Sequence, residues 1–73
     1  MKIEYDEQAD ALYLHFRRIQ PVDSRDLYEG VTLDLDGKGR IVGIEILDAS
    51  ERVGVESLLR VSIYRRPLKK LAS

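Results

Sequence analysis

The amino-acid sequence predicts an α+β fold in which a small antiparallel β-sheet carries one short C-terminal helix on one face. Four to five strands, connected by meander-like hairpins, are expected. Several segments alternate apolar and polar residues with a period of two, which is typical of half-buried strands. A glycine-containing segment separates the two clearest of them. Beyond Leu47 the apolar spacing changes to that of a helix.

The first two strands are predicted near the N-terminus, where apolar residues recur at every second position. Their common face contains Ile3, Tyr5, Leu12, Leu14 and Phe16. Asp6 begins the connection between the two strands. Because an aspartate side chain accepts hydrogen bonds from the amides that follow it, a turn or a single helical turn is expected here.

The clearest prediction is a hairpin that pairs residues 31–36 with residues 41–47. Both segments alternate regularly, and the sequence DGKGR between them supplies glycines for a tight turn. Leu33 and Ile44 are expected to be buried on the same face. Residues 18–30 form the longest connection, in which Pro21 interrupts any ladder and a short edge strand is predicted at residues 22–24.

The C-terminal third is predicted to contain a helix and a last strand. Val55, Leu58 and Leu59 have the spacing of a helix face, and Gly54 favours a short helix or two single turns. The alternation at Val61 and Ile63 predicts a final strand that runs to residue 64.

Composition bounds the domain organisation and excludes several classes of protein. The chain has 73 residues and no cysteine, which excludes a disulfide framework, a thiol nucleophile and cysteine-ligated metals. One domain over residues 1–64 is expected, followed by a basic tail over residues 65–73. The first part has a formal charge of −5 and the tail of +4. An acidic body disfavours nucleic-acid binding. Without an apolar segment of membrane-spanning or signal-peptide type, a cytoplasmic location is expected.

The sequence assigns no catalytic, cofactor-binding or metal-binding residue. His15 is the single histidine, and no nucleophile accompanies it. Asp34, Asp36 and Glu45 share the outer face of the predicted hairpin, but their spacing does not continue into a calcium loop. A solvated strand face is the simplest interpretation of these carboxylates, and we expect a protein that is not an enzyme.

Association with another chain is the main functional expectation. One short helix covers a sheet face incompletely, and the edges of the sheet are open. A homodimer or a small protein partner would solve both problems. The outer apolar residues of the sheet, the alternative edge and the start of the tail provide the interface candidates: Tyr13, Ile41, Leu47, Val61, Ile63, Arg65 and Arg66. Alternatively, the last strand or the tail covers the outer apolar residues.

Two segments resemble a known family. Residues 1–14 (MKIEYDEQADALYL) and 30–50 (GVTLDLDGKGRIVGIEILDAS) closely resemble small, mostly bacterial proteins that form the domain of unknown function numbered 2283. The resemblance extends over about residues 1–52. It implies a compact α+β domain with no established activity. Since some relatives are thought to be encoded beside small toxin-like proteins, it also implies an antitoxin-like role.

The functional hypotheses therefore fall into three classes. The first is a protein–protein interaction module, either homodimeric or an antitoxin-like partner of a small toxin. The second is a small enzyme or ligand binder with a site between subunits, which the lack of a catalytic constellation disfavours. The third is a nucleic-acid binder that uses the basic tail.

Overall fold

Strand-forming sequence extends over the first two thirds of the chain, and the computed structural model, which describes residues 1–67, contains five strands and two short helices. The elements in chain order are β1 (Lys2–Asp6), β2 (Ala11–His15), β3 (Asp23–Tyr28), β4 (Val31–Leu35), β5 (Ile41–Leu47), α1 (Ala49–Arg52) and α2 (Val55–Leu58). The predicted α+β class is thereby confirmed. Among the described residues, no helix has the length and apolar character needed to span a membrane.

The strands form one antiparallel sheet in the order β1-β2-β5-β4-β3. The hairpin of β4 with β5 is confirmed, and β3, β4 and β5 are successive neighbours. The pairing of β2 with β5 joins residues that are distant in sequence, such as Ala11 and Leu47. Consequently the connection after β2 carries the chain past two strands to the opposite edge of the sheet.

The turn between β4 and β5 is organised by the side chain of Asp36. Its Oδ1 accepts hydrogen bonds from the amides of Lys38 and Arg40, both at 2.9 Å, and its Oδ2 accepts one from Arg40 Nε at 2.9 Å. These hydrogen bonds, led by that of the Arg40 amide, lower the pKa of the Asp36 carboxyl although burial opposes the shift. Gly39 has a φ of +76°, which glycine adopts without steric cost.

Asp10 attaches the first helix to the connection between β1 and β2. Its carbonyl accepts the amide hydrogen bond of the fully buried Ala49, and its carboxylate accepts bonds from the Ser50 amide and hydroxyl and from the Tyr5 hydroxyl. As expected, Asp6 accepts hydrogen bonds from the amides two and three residues later. Asp6 and Asp10 therefore fix the turn between β1 and β2 and attach the first helix to it.

One side of the sheet is apolar. Cross-strand pairing places on this side a set of residues that we call the apolar face: Ile3, Tyr5, Leu12, Leu14, Val31, Leu33, Ile44 and Ile46. Leu33 lies opposite Ile44, as predicted for the same face, but both are only half-buried. Within this set only Leu12 is buried. The other seven residues of the apolar face remain half-buried in the single chain.

Two expectations about the connections need correction. The short edge strand predicted at residues 22–24 is the six-residue β3, whose side chains are all exposed and which contains a bulge between Asp26 and Tyr28. The strand predicted at Val61 and Ile63 is wrong, because residues 61–67 form no strand. This segment has only two alternating apolar residues, and no partner strand pairs with it. Of the alternatives expected after Leu47, two single-turn helices form, α1 and α2. Lys69 and Lys70 of the predicted tail lie outside the described residues.

Candidate functional site

The other side of the sheet carries two parallel rows of mostly polar residues. Each row follows one line of paired residues across the strands. Together they are called the polar face: Lys2, Glu4, Tyr13, His15, Ser24, Asp26, Thr32, Asp34, Gly43 and Glu45. Each row runs across all five strands, so residues that are distant in sequence become lateral neighbours. This face contains the most connected side-chain network among the described residues.

Tyr13 reaches across a whole strand to make the central contact of the polar face. Its hydroxyl on β2 donates a 2.6 Å hydrogen bond to Asp34 Oδ2 on β4. The intervening strand presents Gly43 at this point, and a Cβ there would lie within 2.6 Å of two Tyr13 ring atoms. Ser24 of β3 donates a second bond to Asp34, at 2.8 Å. Because position 43 has no side chain, Tyr13 can span β5 and connect β2 to β4. Ser24 then links β3 to the same aspartate.

This environment determines the protonation state of Tyr13. Burial and the hydrogen bond to the Asp34 carboxylate raise the pKa of the phenol to about 12. The phenol is therefore neutral at physiological pH and acts as a hydrogen-bond donor.

His15 has two close neighbours. Its Nε2 lies 2.6 Å from Glu4 Oε1, and its ring centroid lies 4.3 Å from that of Tyr13. The hydrogen bond from His15, followed by the attraction of Lys2 at 3.4 Å, lowers the pKa of the Glu4 carboxyl. His15 thus links β2 to the edge strand β1.

The carboxylates grouped by the sequence have separate roles. Asp34 accepts bonds from Tyr13 and Ser24, whereas Asp36 is buried in the turn. Their interpretation as one solvated strand face is therefore wrong for Asp36, since three donors satisfy it. Within residues 1–67, no three histidine, cysteine, aspartate or glutamate side chains are grouped closely enough to hold a metal ion.

The interface candidates do not form one continuous patch. Ile41 and Leu47 are 44% and 42% exposed, but they lie at opposite ends of β5, with Gly43 and Glu45 between them. Tyr13 is half-buried and is engaged with Asp34. Val61, Ile63, Arg65 and Arg66 are exposed in the coil that follows α2. Their role at an interface stays a prediction.

Sequence reasoning missed three features of the candidate sites. Ser24 and Gly43 gave no local signal, because their roles depend on which strands become neighbours. Arg17 and Arg18 follow β2 directly and line hollows beside His15. The pair could have been noticed in the sequence, because two consecutive arginines in an acidic body mark a local positive charge.

Comparisons with known proteins identify a family. No curated protein and no solved structure matches the chain. A family profile with the description "Protein of unknown function (DUF2283)" matches residues 2–50. The match includes all five strands and both partners of the bond between Tyr13 and Asp34. Because it covers more than half of the 73 residues, the chain belongs to the DUF2283 family of proteins of unknown function.

Proposed function

We propose that this protein is a protein–protein interaction module that forms a homodimer through its apolar face. The observation that carries the proposal is the incomplete burial of that face. Seven of its eight residues are only half-buried, although they come from four neighbouring strands and form a continuous surface. None of these side chains is fully exposed, but an apolar surface that one chain leaves partly accessible can be covered by another chain.

The exposed area supports the same conclusion. The chain exposes 6630 Å², whereas a compact monomer of 8.4 kDa exposes about 4,600 Å². The exposed coil after α2 accounts for part of this excess of about 2,000 Å². A standard interface removes only about 800 Å² from each partner. The excess is therefore larger than the area that one partner contributes to a standard interface.

Charges at the rim of the apolar face favour a second copy over an unrelated partner. Arg25 pairs with Leu33 and Asp23 pairs with Leu35, so both charged residues lie on the apolar side at the edge strand β3. In a twofold dimer, a residue i that contacts j implies that j also contacts i. Arg25 of each protomer can then form an ion pair with Asp23 of the other, so that the interface contains two equivalent pairs. An antitoxin-like complex would use the same face with a foreign chain in place of the second copy.

Sedimentation of the purified protein over a range of concentrations tests the proposal. We expect a dimer that dissociates on dilution. Leu33→Lys should shift the protein to monomer, whereas Thr32→Lys, which adds the same charge to the neighbouring position on the polar face, should leave the dimer intact. A wild-type chain that stays monomeric and folded at all concentrations would contradict self-association.

A charge swap keeps the test decisive if Leu33→Lys fails to fold. Arg25 and Asp23 are exposed, so their substitution leaves the fold intact. Arg25→Asp should weaken the dimer because it places like charges together, and adding Asp23→Arg should restore it. If both variants dimerise as the wild type does, the apolar face with its β3 rim is not the interface.

A further inference from the structure

A basic hollow lies where β1 begins and β2 ends. It has a volume of about 340 Å³, at the lower end of the range for small-ligand sites. The hollow is lined by Met1, Lys2, His15, Phe16, Arg17 and Arg18. A second hollow of about 310 Å³ adjoins it and shares His15, Arg17 and Arg18. These three side chains therefore stand between two concave surfaces.

The charge of the basic hollow is opposite to that of the rest of the body. No carboxylate lines it, although residues 1–64 carry a formal charge of −5. Among the ion pairs of the described residues, none includes Arg17 or Arg18. The nearby Glu4 is already engaged by Lys2 and His15. Neighbouring like charges repel each other, and a bound anion would offset this repulsion.

The backbone fixes the position of the two arginines. The amides of Phe16 and Arg17 both donate to the carbonyl of Val42, at 2.8 and 3.2 Å. This double contact holds the end of β2 against β5, so the arginines project from an anchored segment. Guanidinium groups present parallel donors that match the oxygens of a phosphate.

From this arrangement we propose that the basic hollow binds the phosphate group of a small phosphorylated ligand. The two arginines, which have no carboxylate partner among the described residues, match the two negative charges of a phosphate dianion. Phe16, 39% exposed, supplies an apolar wall for the remainder of the ligand. This site is separate from the apolar face and does not depend on dimer formation.

Amide NMR titration tests the proposal with two probes, inorganic phosphate and phenyl phosphate, at constant ionic strength. We expect saturable shifts at residues 15–18 with phosphate and none with an equal ionic strength of chloride. Tighter binding of phenyl phosphate identifies a phosphate monoester as the preferred source, whereas equal binding identifies free phosphate. Shifts that fail to saturate with either probe would overturn the site.

Matched arginine variants locate the site. Arg17→Gln and Arg18→Gln should each weaken phosphate binding about tenfold, because each removes a charge-assisted contact. Arg52→Gln is the control, since it removes the same charge at the opposite end of the sheet, near Gly30. Circular dichroism verifies that all three variants fold. Unchanged phosphate affinity in both hollow variants, or an equal loss in Arg52→Gln, would refute the assignment.

Discussion

Replacing Gly43 by alanine is a direct test of how the polar face is assembled. The backbone of Gly43 does not adopt the left-handed conformation that favours glycine. Judged by backbone alone, alanine should therefore stabilise the strand by about 0.5–1 kcal/mol, because glycine loses more freedom on folding. The structure predicts the opposite sign.

The opposite sign follows from the position of the Tyr13 ring. An alanine Cβ would lie 2.6 Å from both Cε1 and Cζ of Tyr13, which real atoms do not tolerate. The ring must move, and its hydrogen bond to Asp34 is then lost. Such a bond to a charged group contributes about 1.5–3 kcal/mol. After the alanine gain is subtracted, Gly43→Ala should destabilise the protein by about 0.5–2.5 kcal/mol, or roughly 2–20 °C in Tm.

A double-mutant cycle separates this effect from a general intolerance of position 43. Thermal and urea unfolding of wild type, Gly43→Ala, Tyr13→Ala and the double variant would be followed by circular dichroism. Without the Tyr13 ring, alanine at position 43 meets no obstacle and should be neutral or stabilising. An equal loss of stability in both backgrounds would refute the reasoning, as would a stabilised Gly43→Ala single variant.

Two further predictions concern pH. The pKa of Asp36 is lowered in the folded state, so its contribution to stability is present above its ordinary value of 3.8 and is lost as pH falls through the folded value. Asp36→Asn should therefore flatten the acid limb of stability in urea unfolding, and an unchanged limb would contradict this role. The pKa of Tyr13 is raised to about 12, so its contribution is complete below pH 10.0 and is lost towards pH 12. Tyr13→Phe should remove the highest step of the phenolate absorbance titration, and persistence of that step would assign it elsewhere.

Local patterns were sufficient to predict the β4–β5 hairpin and the turn at Asp6. Alternation and a DGKGR turn were enough to pair β4 with β5 and to place Leu33 opposite Ile44, although they did not predict the register shift between Asp34 and Leu35. An aspartate at the start of a turn satisfies nearby amides. The edge strand β3 was predicted too short, because an exposed strand has no apolar alternation. At Val61 and Ile63 a strand was predicted where none forms, because two alternating apolar residues do not make a strand without a partner.

The candidate sites depend on non-local pairing, which sequence reasoning could not provide. Tyr13 and Asp34 were both assigned to the outer side of the sheet. Their contact, however, requires β5 to lie between β2 and β4 with Gly43 at the crossing point. The apolar face was anticipated residue by residue from alternation. Its poor coverage became visible only when the helices proved to be single turns at one end of the sheet.

The edge strand β3, which carries charges and a bulge, disfavours the addition of further strands from other chains. Sheets with flat, uncharged edges add strands without end and form fibrils. Here the bulge between Asp26 and Tyr28 interrupts the ladder, and Asp23 and Arg25 place charges along the same border. Growth at this border is therefore unfavourable, whereas two apolar faces that cover each other leave no third face to recruit. In the proposed dimer, the β3 edge would therefore limit assembly to a pair of chains on this side of the sheet.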